Sequence, residues 1–118
     1  GLGLITWSPL AGGLLAGKSD DHGGRRQSDA MRAAAVRRAE QVSQFERLCQ
    51  ELGEGPSAVA LTWLLHQSGV VSTIIGPRTK EQLTSTIHVP EIELSGEFLE
   101  AIDAIFPACG AAPEAYAW

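Results

Sequence analysis

Two short apolar runs, GLGLITW at residues 1–7 and VVSTIIG at 70–76, constrain this chain more than any other feature. Both are rich in β-prone residues and bounded by strand breakers: Ser8-Pro9 after the first, Gly69 and Gly76-Pro77 around the second. Proline removes a ladder donor and restricts the residue before it, so each run reads as a short strand. Neither alternates apolar with polar residues in the manner of a strand with one wet face. Such strands belong in a parallel sheet covered on both sides.

The connecting residues read as helices and one long loop. From Leu10 to Gly24 the chain is glycine-rich and ends in SDDHGG, with no helical or strand period. From about Ser28 to Leu52 helix formers predominate, with Met31, Ala35, Val42, Phe45, Leu48 and Leu52 mostly three or four apart and Gly53 as the stop. This predicts one amphipathic helix. Pro56 then stands at the first position of a largely apolar segment, SAVALTWLLHQ, which predicts a buried helix. Thr79 and Gln82 have capping-box spacing, predicting a helix from near Lys80 towards His88 that Pro90 ends. Ser95 opens a last helix with Phe98, Ile102 and Ile105 on one face, closed by Pro107.

Strands alternating with helices define an α/β chain with a parallel sheet. Two strands with a handful of helices cannot cover both faces and close both edges. The 118 residues therefore read as one domain that is part of a larger α/β architecture, incomplete by itself. A (β/α)8 TIM barrel of roughly 250 residues is the natural candidate, with its active-site loops following the strands. Gly1 stands within an apolar run, which reads as a start in mid-fold.

A net charge of −5 argues against a nucleic-acid partner, because counterion release needs many phosphate-facing Lys and Arg. The basic stretch RRQSDAMRAAAVRR, 25–38, has no interleaved aromatics and reads as a solvated helix face. No apolar run approaches the roughly 20 residues that span a bilayer, and the first residues lack the basic lead of a signal peptide, so the expectation is a cytoplasmic protein with no membrane partner. Cys49 and Cys109 lack metal-ligand spacing, and Asp20, Asp21 and His22 have no further spaced partner, so no metal site is expected.

Gly12 to Ser19, GGLLAGKS, spells the pattern G-x-x-x-x-G-K-[ST] of nucleotide hydrolases. Such a loop needs a strand running directly into its first glycine and a helix starting at its Lys-Ser end. Here Ser8-Pro9-Leu10-Ala11 intervenes upstream, and Asp20-Asp21-His22-Gly23-Gly24 is a poor helix start. The second strand also ends in Gly76 rather than an acidic magnesium ligand. A hydrolase is the weakest of the functional readings.

The wider segment GLGLITWSPLAGGLLAGK resembles the strand-seven segment and following loop of the aldo-keto reductase family, in the branch that includes potassium-channel beta subunits. GPSAVALTWLLHQSGVVSTIIGPRTKEQL is similar to that family's last helix-strand-helix passage, and EAIDAIFPACGAAPEAYAW to the tails of its bacterial members. The resemblance implies barrel strands seven and eight of an oxidoreductase that uses NADP(H) to reduce aldehydes or ketones. It implies that Trp7 stacks on the nicotinamide and that Ser8, Pro9, Leu10, Ala11 and Gly13 lie along the pyrophosphate, with Lys18 as a flanking basic residue. Gly76, Arg78 and Gln82 match the family's G-x-[SR]-x-x-x-Q motif, which holds the 2′-phosphate end. One of Arg25 or Arg26 is a further candidate for the cofactor phosphate.

The chain departs from the family in two ways. Ser85 and Thr86 stand where an acidic residue and Asn usually clamp the adenine. The family's catalytic Asp, Tyr, Lys and His lie on earlier strands, and Tyr116, His22, His66 and His88 do not match them. The histidines read as loop or helix-surface residues. The leading expectation is thus a C-terminal, cofactor-binding portion of a reductase, inactive alone, whose small-molecule carbonyl substrate belongs to the full-length protein. The alternative is a non-catalytic cofactor-binding remnant or interaction module that self-associates through its exposed barrel edge.

Overall fold

A computed structural model describes residues 1–17, 29–108 and 110. It is an α/β arrangement in which strand β1 (Leu4–Trp7) pairs in parallel with β2 (Val70–Ile74). Parallel partners cannot be joined by a tight turn, so a long crossover separates them. The crossover contains a 3-10 turn (Ala11–Gly13) and helices α1 (Asp29–Arg37), α2 (Ala39–Leu52) and α3 (Pro56–Leu65). After β2 come α4 (Lys80–Thr84), a 3-10 turn (Val89–Glu91) and α5 (Gly96–Ile105).

The core lies among the helices rather than on the sheet. Phe45 and Cys49 of α2, one turn apart, bury against Val59 and Ala60 of α3 and Ile102 of α5. Phe106 meets Phe45 edge-to-face at a centroid distance of 5.9 Å, the geometry that aromatic quadrupoles favour. A second cluster joins Ala58 and Leu61 of α3 to Val89. Helix α3 is thus buried on several sides, as its uniformly apolar sequence requires.

Local chemistry sets the helix ends. Gly53 adopts φ +79°, its N–H donates to Gln50 O, and Glu54 N–H donates to Cys49 O, closing α2 in a Schellman turn. Pro56 opens α3 where its missing N–H costs nothing. Thr79 Oγ1 accepts from Gln82 N–H and Ser95 Oγ from Phe98 N–H, capping α4 and α5. At the other end of α5, Gln41 Nε2 donates to Ile105 O at 2.7 Å, linking it to α2.

Three expectations need correction. The single helix expected up to Leu52 is two, broken at Arg38 (φ −112°, ψ 12°). The break follows a change in burial, since α1 buries no residue whereas α2 delivers Phe45 and Cys49 to the core. The helix expected to run from Lys80 towards His88 stops at Thr84 and continues as turns into the Val89–Glu91 segment, with Pro90 inside it. Lastly, β1 is not buried: Leu4, Ile5 and Trp7 are 53%, 62% and 71% exposed.

The sheet's two sides differ. Thr6 and Thr73 are opposite one another on the half-buried side, with α3 lying against β2, and their hydroxyls are buried with no hydrogen-bond partner among the described residues. Ile5, Trp7 and Ile74 share the other side, which the described residues leave bare. Gly3 fits the close approach of the strands, because a Cβ there would sit 2.8 Å from the Val71 side chain.

Cys49 is fully buried, and loss of hydration, with the nearby Glu46 carboxylate, pushes its thiol up to about 12 from 9.0. The folded state therefore holds the proton more tightly than the unfolded chain. This contribution to stability is complete below about pH 9 and is lost as pH rises towards about 12. Urea unfolding between pH 8 and 11 should show a steeper loss of stability for the natural chain than for Cys49→Ala, and parallel curves would contradict the burial of a neutral thiol.

Candidate functional site

The register fixes the geometry. Trp7 pairs with Ile74, so both strands deliver their carboxyl ends to the same end of the sheet. The segment after β1, Ser8 to Gly17, and the segment after β2, Ile75 to Thr79, therefore emerge side by side, the strands themselves being about 4.8 Å apart. In parallel α/β folds this is the end where ligands bind. Arg78 is four residues beyond Ile74, so its Cα is within about 14 Å of the strand end.

The first segment is a tightly wound loop. Five of its residues have positive φ: Ser8 (+57°), Ala11 (+50°), Gly12 (+69°), Gly13 (+100°) and Gly17 (+75°). Glycine adopts this freely, but Ser8 and Ala11 carry Cβ strain of about 1–2 kcal/mol each. The surroundings hold the strain in place. Leu10 and Leu15 pack into the core, Ser57 Oγ donates to Ala16 O at 3.4 Å, and Gly17 abuts Pro56 so closely that a Cβ would meet it at 3.2 Å.

Several of the loop's donors face inward. Ala11 N–H donates to Ser8 O, Gly13 N–H to Leu10 O, Leu14 N–H to Ala11 O and Ala16 N–H to Gly13 O. The N–H groups of Gly13, Leu14 and Ala16 are ones that a phosphate-cradling hydrolase loop would present outward, and β1 ends five residues before Gly12. Ala11 and Gly13 thus shape the loop through their N–H groups, rather than offering them. Trp7, at the strand end beside this loop, is 71% exposed.

The second segment is organised by Gln82. Its Oε1 accepts from Arg78 N–H at 2.8 Å, while its N–H donates to Thr79 Oγ1 at 3.2 Å. In the expected capping box the glutamine would instead reach the N–H of Thr79 itself. Ser85 donates to Gln82 O at 2.9 Å, and the Thr86 hydroxyl faces Leu83 O at 3.0 Å and Gln82 O at 3.2 Å, so both protons are turned to the backbone and the oxygens remain as acceptors. Gly76 is exposed, and a Cβ there would meet nothing within 4 Å. Gly76 is not at positive φ, and among the described residues no packing requires glycine there, so the position is open.

The structure thus brings together Trp7, Ser8, Pro9, Leu10, Ala11 and Gly13 with Gly76, Arg78 and Gln82 at one end of the sheet. Lys18, Arg25, Arg26, His22 and Tyr116 lie outside the described residues. Of the histidines, His66 Nδ1 donates to Thr62 O at 2.9 Å on α3. His88 is no bare surface residue, since its Nε2–H donates to Glu54 Oε2 at 2.9 Å across thirty-four positions. No local pattern announces that contact, because its partners come from different turns. The strained Ser8 and Ala11 were equally hidden among glycines.

The model of the aldo/keto reductase family matches residues 1–106. The chain belongs to the aldo/keto reductase family. Among its relatives is an uncharacterized oxidoreductase of Bacillus subtilis, YrpG, 48% identical over all of this chain and 36% of that protein. A protein of Schizosaccharomyces pombe named as a voltage-gated potassium channel subunit beta is 32% identical over 89% of the chain and 34% of its own length. An Escherichia coli O157:H7 protein named L-glyceraldehyde 3-phosphate reductase is 28% identical over 87% and 33%. The chain spans about a third of the length of the curated relatives it matches. Among the described residues, no helix of this aldo/keto reductase chain is long and apolar enough to cross a membrane.

Proposed function

We propose that this chain is the cofactor-binding, C-terminal portion of an NADP-dependent aldo/keto reductase, with β1 and β2 as barrel strands seven and eight. The observation that carries the reading is the parallel register Trp7 with Ile74, which sets the exposed Trp7 at the end of β1 beside the segment after β2 that carries the exposed Arg78. A dinucleotide with a flat ring at one end and a phosphate at the other suits that pair. The open position at Gly76 agrees.

When bound, NADPH supplies the hydride that reduces an aldehyde or ketone carbonyl to an alcohol. The Trp7 ring stacks on the nicotinamide and fixes which face is offered. Ser8, Pro9, Leu10, Ala11 and Gly13 form the wall beside the pyrophosphate. Gln82 holds the Arg78 backbone, so the guanidinium projects from a fixed base towards the 2′-phosphate, a group NAD lacks. Protonation of the carbonyl oxygen needs a general acid, which this reading assigns to the remainder of the barrel. The chain by itself then binds cofactor without turning over a carbonyl.

Replacing Arg78 tests this. Arg78→Ala should weaken NADPH binding by about 10- to 100-fold, the loss of a charge-assisted phosphate contact, and leave NADH binding unchanged. Quenching of tryptophan fluorescence on titration, compared with a Trp7→Phe control because Trp63 and Trp118 also emit, reports both affinities. Equal affinity of the natural chain for NADPH and NADH would overturn the assignment.

A second reading, a self-associating module, is favoured by the bare sheet side of Ile5, Trp7 and Ile74 together with the exposed Leu4 and Val71. Apolar surface of this kind drives association when no partner covers it. Sedimentation velocity should then show dimers or larger species that Ile5→Lys disperses, whereas a monomer at tens of micromolar contradicts it.

A further inference from the structure

The arm that carries Arg78 and Gln82 is tied to the body at its ends and not along its length. Helix α4 has five residues and buries none of them, and Leu83 and Ile87, four positions apart, are exposed. A helix this short has no stability of its own, so its orientation is set by whatever holds its flanks. On the near side the flank is β2, with the Thr79 cap and the Gln82 contact to Arg78 N–H. On the far side, Val89 is buried against Ala58 and Leu61, and its carbonyl is 3.3 Å from Thr62 Oγ1.

Beside that anchor is the one between His88 and Glu54. Glu54 sits at the corner between α2 and α3, where the Gly53 turn and its own N–H bond to Cys49 O leave the backbone little freedom. Val89 fixes how far the arm's end lies from α3, but an apolar contact has no direction. The hydrogen bond from His88 Nε2–H to Glu54 Oε2, at 2.9 Å, is directional and sets the rotation of the end.

We infer that Glu54 and His88 are positioning residues for the cofactor site, their hydrogen bond holding the α4 arm so that Arg78 and Gln82 meet the phosphate. The inference rests on the NADP-binding reading. Affinity for a ligand falls in proportion to the fraction of molecules in the competent arrangement, so loosening the arm weakens binding without touching a contact residue. The His88 and Glu54 side chains are 40% and 30% exposed, which limits the effect to a few-fold.

The test compares His88→Ala with His88→Gln, whose side-chain N–H can still reach Glu54. Amide exchange at Gln82, Leu83 and Ser85, which donate within the arm, is measured without cofactor, alongside NADPH titration and thermal unfolding. His88→Ala should speed exchange in the arm and weaken NADPH binding, each by about three- to fivefold, with exchange in α3 and the midpoint of unfolding unchanged. His88→Gln should restore both values. Wild-type exchange in the arm of His88→Ala, or failure of His88→Gln to restore it, overturns the inference. If the natural chain binds no NADPH, the cofactor reading fails, and exchange in the arm still decides whether the pair fixes α4.

Discussion

Parallel pairing of β1 with β2 is the constraint on which the rest of the structure depends. It forces a crossover long enough to return the chain to the starting end of the sheet, and the helices of that crossover become the body of the molecule. It also sends both strands out at one end, so residues seventy positions apart, near Trp7 and near Arg78, become neighbours. The same pairing leaves a cost. Among the described residues there are two strands with helices against one side, and Ile5, Trp7 and Ile74 are left open to water.

The sheet brings the two segments together, and the helices hold the first of them in shape. Leu10 and Leu15 carry the loop after β1 into the contacts around Val59 and Phe45, which is how Ser8 and Ala11 are kept at positive φ. The segment after β2 has no comparable depth. Its order comes from Gln82, from the buried Val89, and from the pair Glu54–His88. One half of the candidate site is therefore rigid, and the other is an arm whose placement depends on a few polar contacts.

Much of this was legible in the sequence, for stated reasons. A short β-prone apolar run gave β1 and a continuous β-branched run β2, Pro56 the start of α3, Gly53 the end of α2, and Thr79 and Ser95 the caps they provide. The family likeness was carried mainly by the two segments around the strands, which the family model also matches, while most of the tail that was read with them lies beyond residue 106. What was not legible depends on tertiary context. Val36 to Ala39 are ordinary helix formers, and only the difference in burial between α1 and α2 explains the break at Arg38. The exposure of β1 reflects the lack of a covering layer among the described residues, a property of what surrounds the strand and not of its own residues. Gln82 was expected to complete a capping box with Thr79, yet it reaches Arg78 N–H, one residue further back.

GGLLAGKS illustrates how little a pattern means without its geometry. In its described part the N–H groups of Gly13 and Leu14 turn back to Leu10 O and Ala11 O just upstream and that of Ala16 to Gly13 O, while Trp7, further upstream, ends the strand paired with β2. The claim that these two segments form one dinucleotide site is tested most directly by NADPH titration followed through backbone amide resonances. The account predicts that the signals of Trp7, Ser8, Leu10 and Ala11 and those of Gly76, Arg78 and Gln82 shift together along one saturation curve, with α5 unmoved. Shifts confined to one segment, or following two separate curves, would contradict it.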